Sequence, residues 1–413
     1  MNLFKKKMLK FLRHNFRWII GGFTLTFFSS FGQTYFISIS ISEWREIFDL
    51  SHGEFGRLYM FATLSSAACL PFLGKLIDFV PAHKLIAMVI PTLSAAAILA
   101  GIAPSLWVLI IAIFLLRLFG QGLMSHIALT VTGRWFSVER GRAISLVILG
   151  HQGGEASMPL VFSMVAIIYG YQVGWFFGAI LLLIVALPIS FWAYSAPREP
   201  QNSNTSGSMT ENKIHNWTRR EVMGDPIFWI LLTGALAPGF IGTIIFYHQN
   251  YLTEINEWPP QIFVQSLVAL STMTVIFTLI SGAIVNKFGS RILLPYFLIP
   301  LVIACFLLTI KGPAIIVSGV MIFLGISYGT SWTLFGSLWP EIYGTKYLGS
   351  IRSITISAVV IATAAGPGIT GTLIDVGISL QKQMNYIGIY CLIALVAMII
   401  ANLFLYKRIY KKD

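Results

Sequence analysis

Long apolar stretches recur along the whole sequence and are separated by short polar segments. A helix needs roughly 20 apolar residues to cross a hydrocarbon layer about 30 Å thick, and twelve stretches approach this length with few or no charges. A backbone in lipid must satisfy its own hydrogen bonds, and no stretch shows the alternation of a barrel strand, so we predict transmembrane helices. The predicted spans, numbered 1 to 12 in chain order, are residues 18–41, 58–74, 85–103, 107–133, 143–168, 174–195, 227–247, 262–285, 292–310, 313–338, 353–375 and 387–406.

One long hydrophilic segment, residues 196–226, separates the first six spans from the last six. It contains the run PREPQNSNTSGSMTENK, and its content of Pro, Ser, Asn and Gly is typical of a flexible linker. Landmark residues also recur at a constant offset of 208 positions, which indicates a duplication. The pairs are Gly74 and Gly282, Gly141 and Gly349, and Pro159 and Pro367.

The predicted fold is therefore an all-α integral membrane protein with twelve transmembrane helices in two six-helix bundles. The N-terminal bundle covers residues 1–195, the cytoplasmic linker covers 196–226, and the C-terminal bundle covers 227–413. An even number of helices gives both copies the same orientation. We therefore expect the bundles to be related by a pseudo-two-fold axis along the membrane normal.

The composition agrees with a membrane protein. Hydrophobic residues make up 56% of the chain and charged residues only 11%, whereas soluble proteins carry about 25% charged residues. This composition excludes a water-soluble globular enzyme and a disordered chain. The three cysteines, Cys69, Cys305 and Cys391, lie in apolar runs without motif spacing, so we predict no disulfide framework and no metal site.

The distribution of Lys and Arg predicts the orientation of the chain. If both termini lie on one side, that side receives 23 of the 28 basic residues. Arg117 lies inside span 4, and the other side receives only Arg45, Arg57, Lys311 and Lys382. The positive-inside rule therefore places both termini in the cytoplasm. It also explains the net charge of +12, so we predict no nucleic-acid partner. We expect the basic loops to contact the lipid bilayer.

The loops after spans 2 and 8 carry related motifs. The first has Gly74, Leu76 and Asp78, and the second has Gly282 with Lys287, Gly289 and Arg291. Here the chain resembles the major facilitator superfamily, whose pattern is Gly-x-Leu-x-Asp-(Arg/Lys)-x-Gly-(Arg/Lys)-(Arg/Lys). It departs from that pattern in both copies. In the first, Pro81 stands where the later Gly is expected and much of the basic half is lost; in the second, Asn286 stands where Asp is expected.

The resemblance implies a central cavity lined mainly by spans 1, 4, 7 and 10, and transport of a small solute by alternating access. In that family the conserved loop holds one conformation closed. The residues predicted by resemblance to form the gating loops are Gly74, Asp78, Gly282, Asn286, Gly289 and Arg291.

Three further runs resemble the bacterial monocarboxylate/oxalate-type carriers of that superfamily. They are FGQTY at 31–35, RLFGQG at 117–122, and Tyr343-Gly344 with Leu348-Gly349. This resemblance implies a carrier for an organic anion such as a monocarboxylate, in a bacterial cytoplasmic membrane. Those carriers often have an Asp/Arg pair in helix 8, but span 8 has no charge, so the substrate and the coupling stay open.

Ionisable residues inside a bilayer are costly and indicate function. Arg117 lies near the middle of span 4, with Gln121 one turn further on, and Glu155 lies at a similar depth in span 5, with His151 one turn before it. We hypothesise that Arg117 binds the anion and that Glu155 forms an ion pair with it, which protonation would release. His151 could take part in this proton coupling. The alternative is a purely structural ion pair.

Other polar residues inside the spans are candidate solute contacts, or alternatively interhelical packing contacts. They are Gln33, Thr34 and Tyr35 in span 1, and Tyr328, Ser331 and Trp332 in span 10. His126 lies about 180° around span 4 from Arg117, so we expect it to hydrogen-bond another helix.

Other functions remain open at this point: a drug or metabolite exporter of the same superfamily, a transport-inactive membrane sensor, and a membrane-embedded enzyme. No catalytic triad, zinc-ligand or GxxxxGK[ST] motif occurs, so we predict no enzymatic activity, no cofactor and no ATP-driven transport. We expect a monomer whose partners are the solute and, in the coupled case, protons.

Overall fold

The computed structural model describes residues 2–50, 52–137, 139–196, 198, 215–259 and 262–410. Most of the predicted linker therefore lies outside the described residues. Those residues form helices joined by short turns, and no strand occurs among them. The α-helices are α1 (Asn2–Phe28), α2 (Thr34–Ile37), α3 (Ile41–Ile47), α4 (His52–Leu73), α5 (Ala82–Ile102), α6 (Leu106–Leu115), α7 (Ser125–Trp135), α8 (Arg140–Tyr169), α9 (Tyr171–Leu181), α10 (Leu187–Ser195), α11 (Arg219–Met223), α12 (Pro226–Tyr247), α13 (Gln249–Ile255), α14 (Ile262–Phe288), α15 (Ile299–Leu307), α16 (Ile315–Tyr343), α17 (Leu348–Asp375) and α18 (Leu380–Tyr410).

Several helices are joined without a loop. The π-helical segment Leu116–Met124 connects α6 to α7, and a second one, Leu182–Ala186, connects α9 to α10. Short 3₁₀ turns cover Ser29–Gly32, Ser38–Ser40, Gly74–Asp78 and Ser290–Leu293. Irregular helical turns of this kind often mark functional positions or local strain.

In the described part of the chain, nine helices are long and apolar enough to cross a membrane. They coincide with predicted spans 2, 3, 4, 6, 7, 8, 10, 11 and 12. Spans 1, 5 and 9 coincide with α1 and its irregular continuation, with α8, and with the nine-residue α15. None of these three is, as a single helix, both long enough and apolar enough to count among the nine.

The chain divides into two compact units. The first contains Met1–Val138, Leu146–Thr210 and Tyr347–Ser357, and the second contains Glu139–Ser145, Glu211–Lys346 and Ala358–Asp413. Each half of the sequence thus gives one short segment to the unit formed mainly by the other half. The two segments begin 208 positions apart, the same offset that separates the landmark glycines and prolines. The domain boundaries predicted above follow chain order and stay a prediction.

In the first unit, α8 packs closely against α1. A Cβ atom on Gly150 would overlap the carbonyl oxygen of Phe23, and one on Gly154 would overlap Ser30. The Thr26 hydroxyl donates to the Val147 carbonyl at 2.6 Å. Small residues permit this close approach of two helix backbones in a membrane.

Aromatic packing holds the irregular segment that follows α1. The centre of the Phe36 ring lies 5.0 Å from that of Phe162 and 5.5 Å from that of Trp175. The indole nitrogen of Trp175 also donates to the Ser40 hydroxyl at 3.0 Å. This buried aromatic cluster fixes residues 29–40 beside the helices that carry the candidate site.

Candidate functional site

Arg117 lies in the π-helical segment between α6 and α7. Its side chain is almost fully buried, with 2% of its surface exposed. One terminal nitrogen of the guanidinium, Nη1, donates to the carbonyl oxygen of Gly32 and to the hydroxyl of Thr34, both at 3.1 Å. A buried cation is therefore held by two neutral acceptors.

The acceptors are available because the first helix is interrupted. α1 ends at Phe28, a 3₁₀ turn follows, and Gln33 has an extended backbone (φ −86°, ψ 150°) before α2 begins. A helix end leaves carbonyl groups without intrahelical partners, and the Gly32 carbonyl binds Arg117 instead. Gly32 must be glycine here, because a Cβ atom would overlap Leu116 and lie 2.7 Å from the Cα of Gly120.

Tyr59, on α4, completes the surroundings of the guanidinium. The Arg117 guanidinium lies 5.6 Å from the centre of the Tyr59 ring, and the Tyr59 hydroxyl donates to Thr34 at 3.0 Å. A ring face at this distance attracts a cation. Thr34 is one of the predicted solute contacts, whereas Tyr59 was not predicted. The available signal was a polar aromatic residue at the start of span 2.

No carboxylate among the described residues forms an ion pair with Arg117. Among the same residues, the buried Nε–H of Arg117 has no hydrogen-bond acceptor. One turn further along the segment, the buried side-chain oxygen of Gln121 has no donor. Burying a charge without a counter-charge is costly. The site therefore contains a buried cation with an N–H group, and a neighbouring amide oxygen, that form no hydrogen bond with the described residues.

The predicted ion pair between Arg117 and Glu155 is wrong. The guanidinium binds Gly32 and Thr34, and Glu155 forms no ion pair with it. The prediction assumed that consecutive helices pack together. Instead, the chain around residue 32 packs on the Arg117 segment, and α1 packs on α8.

Glu155 and His151 instead lie near Tyr35. The centre of the Tyr35 ring is 6.3 Å from that of His151, and the Tyr35 hydroxyl donates to Ser30 at 3.0 Å. Glu155 follows His151 by about one helical turn on α8. Consecutive residues of the interrupted helix thus have different neighbours: Thr34 contacts Arg117, and Tyr35 lies beside His151 on the helix that carries Glu155.

The remaining predicted solute contacts lie at two places. Gln33 is the extended residue of the helix break and is 9% exposed. Tyr328 and Trp332 belong to α16 in the second unit, where a Cβ atom on Gly242 would overlap the Tyr328 hydroxyl and Trp332 is 38% exposed. A solute-binding role for these three residues, and for Ser331 of α16, stays a prediction.

The first predicted gating turn contacts the beginning of α17, within the first unit. Oδ1 of Asp78 accepts from the Gly349 amide at 2.8 Å, and Oδ2 accepts from the Ser350 amide at 2.7 Å. Arg134, near the end of α7, forms an ion pair with Asp78 and donates to the Ile77 carbonyl at 2.7 Å. A carboxylate in this position caps the helix and interacts favourably with its dipole.

The second predicted gating turn uses different residues. Gly289 has φ +81°, a left-handed conformation that favours glycine, and the next amide, of Ser290, donates to Glu341 at 2.9 Å. Asn286, at the position of Asp78 in the first copy, has a buried side-chain oxygen that no donor among the described residues reaches. The Arg291 guanidinium lies 5.4 Å from the centre of the Tyr406 ring. Glu341, which the sequence analysis did not select, is the carboxylate that holds this turn.

Comparison with known families decides the wider assignment. The sequence profile of the Major Facilitator Superfamily matches residues 22–367. The chain belongs to the major facilitator superfamily. This confirms the resemblance seen in the gating loops, whereas the monocarboxylate/oxalate-type branch stays a prediction.

Solved structures of the superfamily have the same fold. The transporter FucP in the outward conformation matches with a TM-score of 0.68 and 12% identity over 94% of this chain and 98% of its own. The proton:xylose symporter XylE matches with a TM-score of 0.70 and 16% identity over 95% of this chain and 96% of its own. The human organic anion transporter MFSD10 (TETRAN) matches with a TM-score of 0.70 and 12% identity over 93% of this chain and 99% of its own. These likenesses confirm the all-α membrane fold of twelve helices, and the superfamily is one of transporters and not of enzymes.

One curated relative is similar over part of its length. The membrane sensor protein UhpC of Salmonella typhimurium is 26% identical over 151 residues, which is 32% of this chain and 33% of that protein. The chain therefore matches about a third of the length of this relative.

Proposed function

We propose that this superfamily member is a secondary transporter for a small organic anion such as a monocarboxylate, and that Arg117 is its anion-binding group. The observation that carries the proposal is the buried guanidinium with only neutral acceptors. A charge inside a membrane protein is costly unless another charge or the transported solute compensates it. The described residues provide no such carboxylate, so an anionic solute is the compensating group.

The geometry suits a carboxylate. A guanidinium offers five N–H donors in a planar fork, which matches the two oxygens of a carboxylate. Nη1 of Arg117 is already used by Gly32 and Thr34, whereas its Nε–H has no acceptor. A solute carboxylate could accept from that side. The Gln121 amide could add a donor, because the oxygen and nitrogen of an amide exchange places when it turns.

The proposed proton coupling uses Glu155, with His151 beside it. Glu155 has no cation partner among the described residues, so protonation would neutralise a buried charge without breaking an ion pair. We expect uptake by wild-type protein in proteoliposomes to increase as the external pH falls, and uptake by Glu155→Gln protein to lose most of this dependence. An unchanged pH dependence in the variant would exclude Glu155 as the proton site.

Ligand-dependent thermal stabilisation tests the substrate class. Purified protein would be screened against small monocarboxylates, dicarboxylates and neutral sugars. A true ligand at 100 times its Kd stabilises the protein by about 2.7 kcal/mol. We expect stabilisation by a monocarboxylate that is lost in Arg117→Gln and retained in Arg57→Gln, which removes an exposed arginine two residues from Tyr59. Equal stabilisation of wild-type and Arg117→Gln protein would contradict the proposal.

A second candidate function is a membrane sensor, because the curated relative is named as one. A sensor would bind the same solute at Arg117 without moving it. Thermal stabilisation would then persist while flux into proteoliposomes would be absent, so the two functions are distinguishable. We also propose that both termini are cytoplasmic and that the protein is a monomer. Its two bundles would cover residues 1–195 and 227–413, joined by the linker 196–226.

A further inference from the structure

The turn Gly74–Asp78 is held at both ends by one face of α7. His126, Thr130 and Arg134 are spaced four residues apart and therefore lie on the same face of that helix. Arg134 contacts the last two residues of the turn, Ile77 and Asp78. His126, two helical turns away, contacts the first.

The His126 contact is a buried hydrogen bond. The imidazole is fully buried, and its Nε2 lies 2.8 Å from the carbonyl oxygen of Gly74. A carbonyl only accepts, so Nε2 carries the proton and donates. The other ring nitrogen, Nδ1, lies 3.5 Å from the Thr130 hydroxyl, a much weaker contact.

The turn must be placed accurately because α17 packs directly on it. A Cβ atom on Gly74 would collide with Ser353, and a Cβ atom on Gly349 would collide with Ile77. Both contacts lie within the first unit. They leave no room for a shift of the turn if Asp78 is to reach the amides of Gly349 and Ser350. A 3₁₀ turn has poorer hydrogen-bond geometry than an α-helix, so its ends depend on outside partners.

We propose that His126 is a positioning residue for this turn: it fixes the Gly74 end, and Arg134 fixes the other, so that the Asp78 carboxylate stays on the first turn of α17. This role of His126 in the gating turn does not depend on the identity of the solute. A family resemblance assigns the turn but not this histidine, which lies on α7 outside the loop motif.

Hydrogen–deuterium exchange of the full chain in lipid nanodiscs tests the inference without any ligand. The amides of Gly349 and Ser350 are protected by Asp78, so their exchange reports on its position. We expect His126→Leu and His126→Asn to exchange roughly tenfold faster than wild type in peptides covering these amides, as for the loss of about one buried hydrogen bond. His126→Gln, which can place an N–H near the Nε2 position, should restore protection.

Two controls separate positioning from general loosening. Thr130→Val removes the weak contact on the same face and should leave exchange at Gly349 and Ser350 within about twofold of wild type. Peptides from α12 in the second unit should be unchanged in every variant. Unchanged exchange in both His126→Leu and His126→Asn, failure of His126→Gln to restore protection, or an equal increase in all peptides would each overturn the proposal. If His126→Leu does not fold, the comparison of His126→Asn with His126→Gln decides the question.

Discussion

Two buried charges of this chain are stabilised in different ways at the residue scale. Asp225, just before α12, accepts two hydrogen bonds from Arg408, at 2.7 and 3.0 Å, and one from the Tyr343 hydroxyl at 2.9 Å. Within the described part of the chain, Arg117 has only a carbonyl and a hydroxyl as acceptors. The first arrangement is complete and structural, whereas the second has unused hydrogen-bonding capacity, as expected of a group that binds a solute.

The Asp225 arrangement makes stability depend on pH. Burial raises the pKa of Asp225, but the hydrogen bonds from Arg408 and Tyr343 and the charge of Arg408 lower it more, so its pKa lies below the ordinary value. A pKa that is lower in the folded state gives stability that is present above the unfolded-state pKa and is lost as the pH falls.

We expect Asp225→Asn to lower the free energy of unfolding at pH 7 by about 2 kcal/mol, the typical value for hydrogen bonds to a charged group. The difference from wild type should shrink only as the pH falls below about 4, through the lowered pKa of Asp225. Thermal unfolding in detergent at several pH values measures both effects, with Asp49→Asn as the control for an exposed carboxylate. A difference that grows on acidification would contradict this account.

Two irregular elements create the candidate site at the element scale. The break after α1 frees the Gly32 carbonyl, and the π-helical segment carries Arg117. The sequence predicted both spans, and it identified Arg117 as a buried ion, but neither irregularity could be predicted. Each depends on the close approach of Gly32 and Gly120, which are far apart in the sequence. The wrong ion pair of Arg117 with Glu155 has the same origin, because chain order does not show which helices pack together.

Close packing of α1 on α8 predicts different effects for two glycines on α8. A Cβ atom on Gly150 would overlap the Phe23 carbonyl, whereas one on Gly153 would lie 3.4 Å from the Phe27 ring, an ordinary contact. Gly150→Ala should therefore cost about 1–3 kcal/mol of stability through overpacking. Gly153→Ala should be neutral or slightly stabilising, because alanine favours helices. Equal melting temperatures for the two variants would argue against this packing.

Duplication and charge distribution give most of the architecture at the scale of the whole molecule. The offset of 208 positions was visible in three pairs of residues, and the two segments that join the unit of the opposite half, Glu139–Ser145 and Tyr347–Ser357, begin at the same offset. That each half contributes a short segment to the opposite unit could not be predicted. A change in composition indicates where a linker lies, but it does not show against which unit the end of a helix packs. The orientation predicted from Lys and Arg stays a prediction.

The central claim, that the molecule moves an anion bound at Arg117, is tested most directly by flux of matched solutes into proteoliposomes. The acid that stabilises the protein would be compared with its uncharged primary amide, which has nearly the same shape. We predict saturable uptake of the acid by wild-type and Arg57→Gln protein, little uptake of the amide, and loss of acid uptake in Arg117→Gln. Equal uptake of acid and amide, or full acid uptake by Arg117→Gln, would contradict the claim.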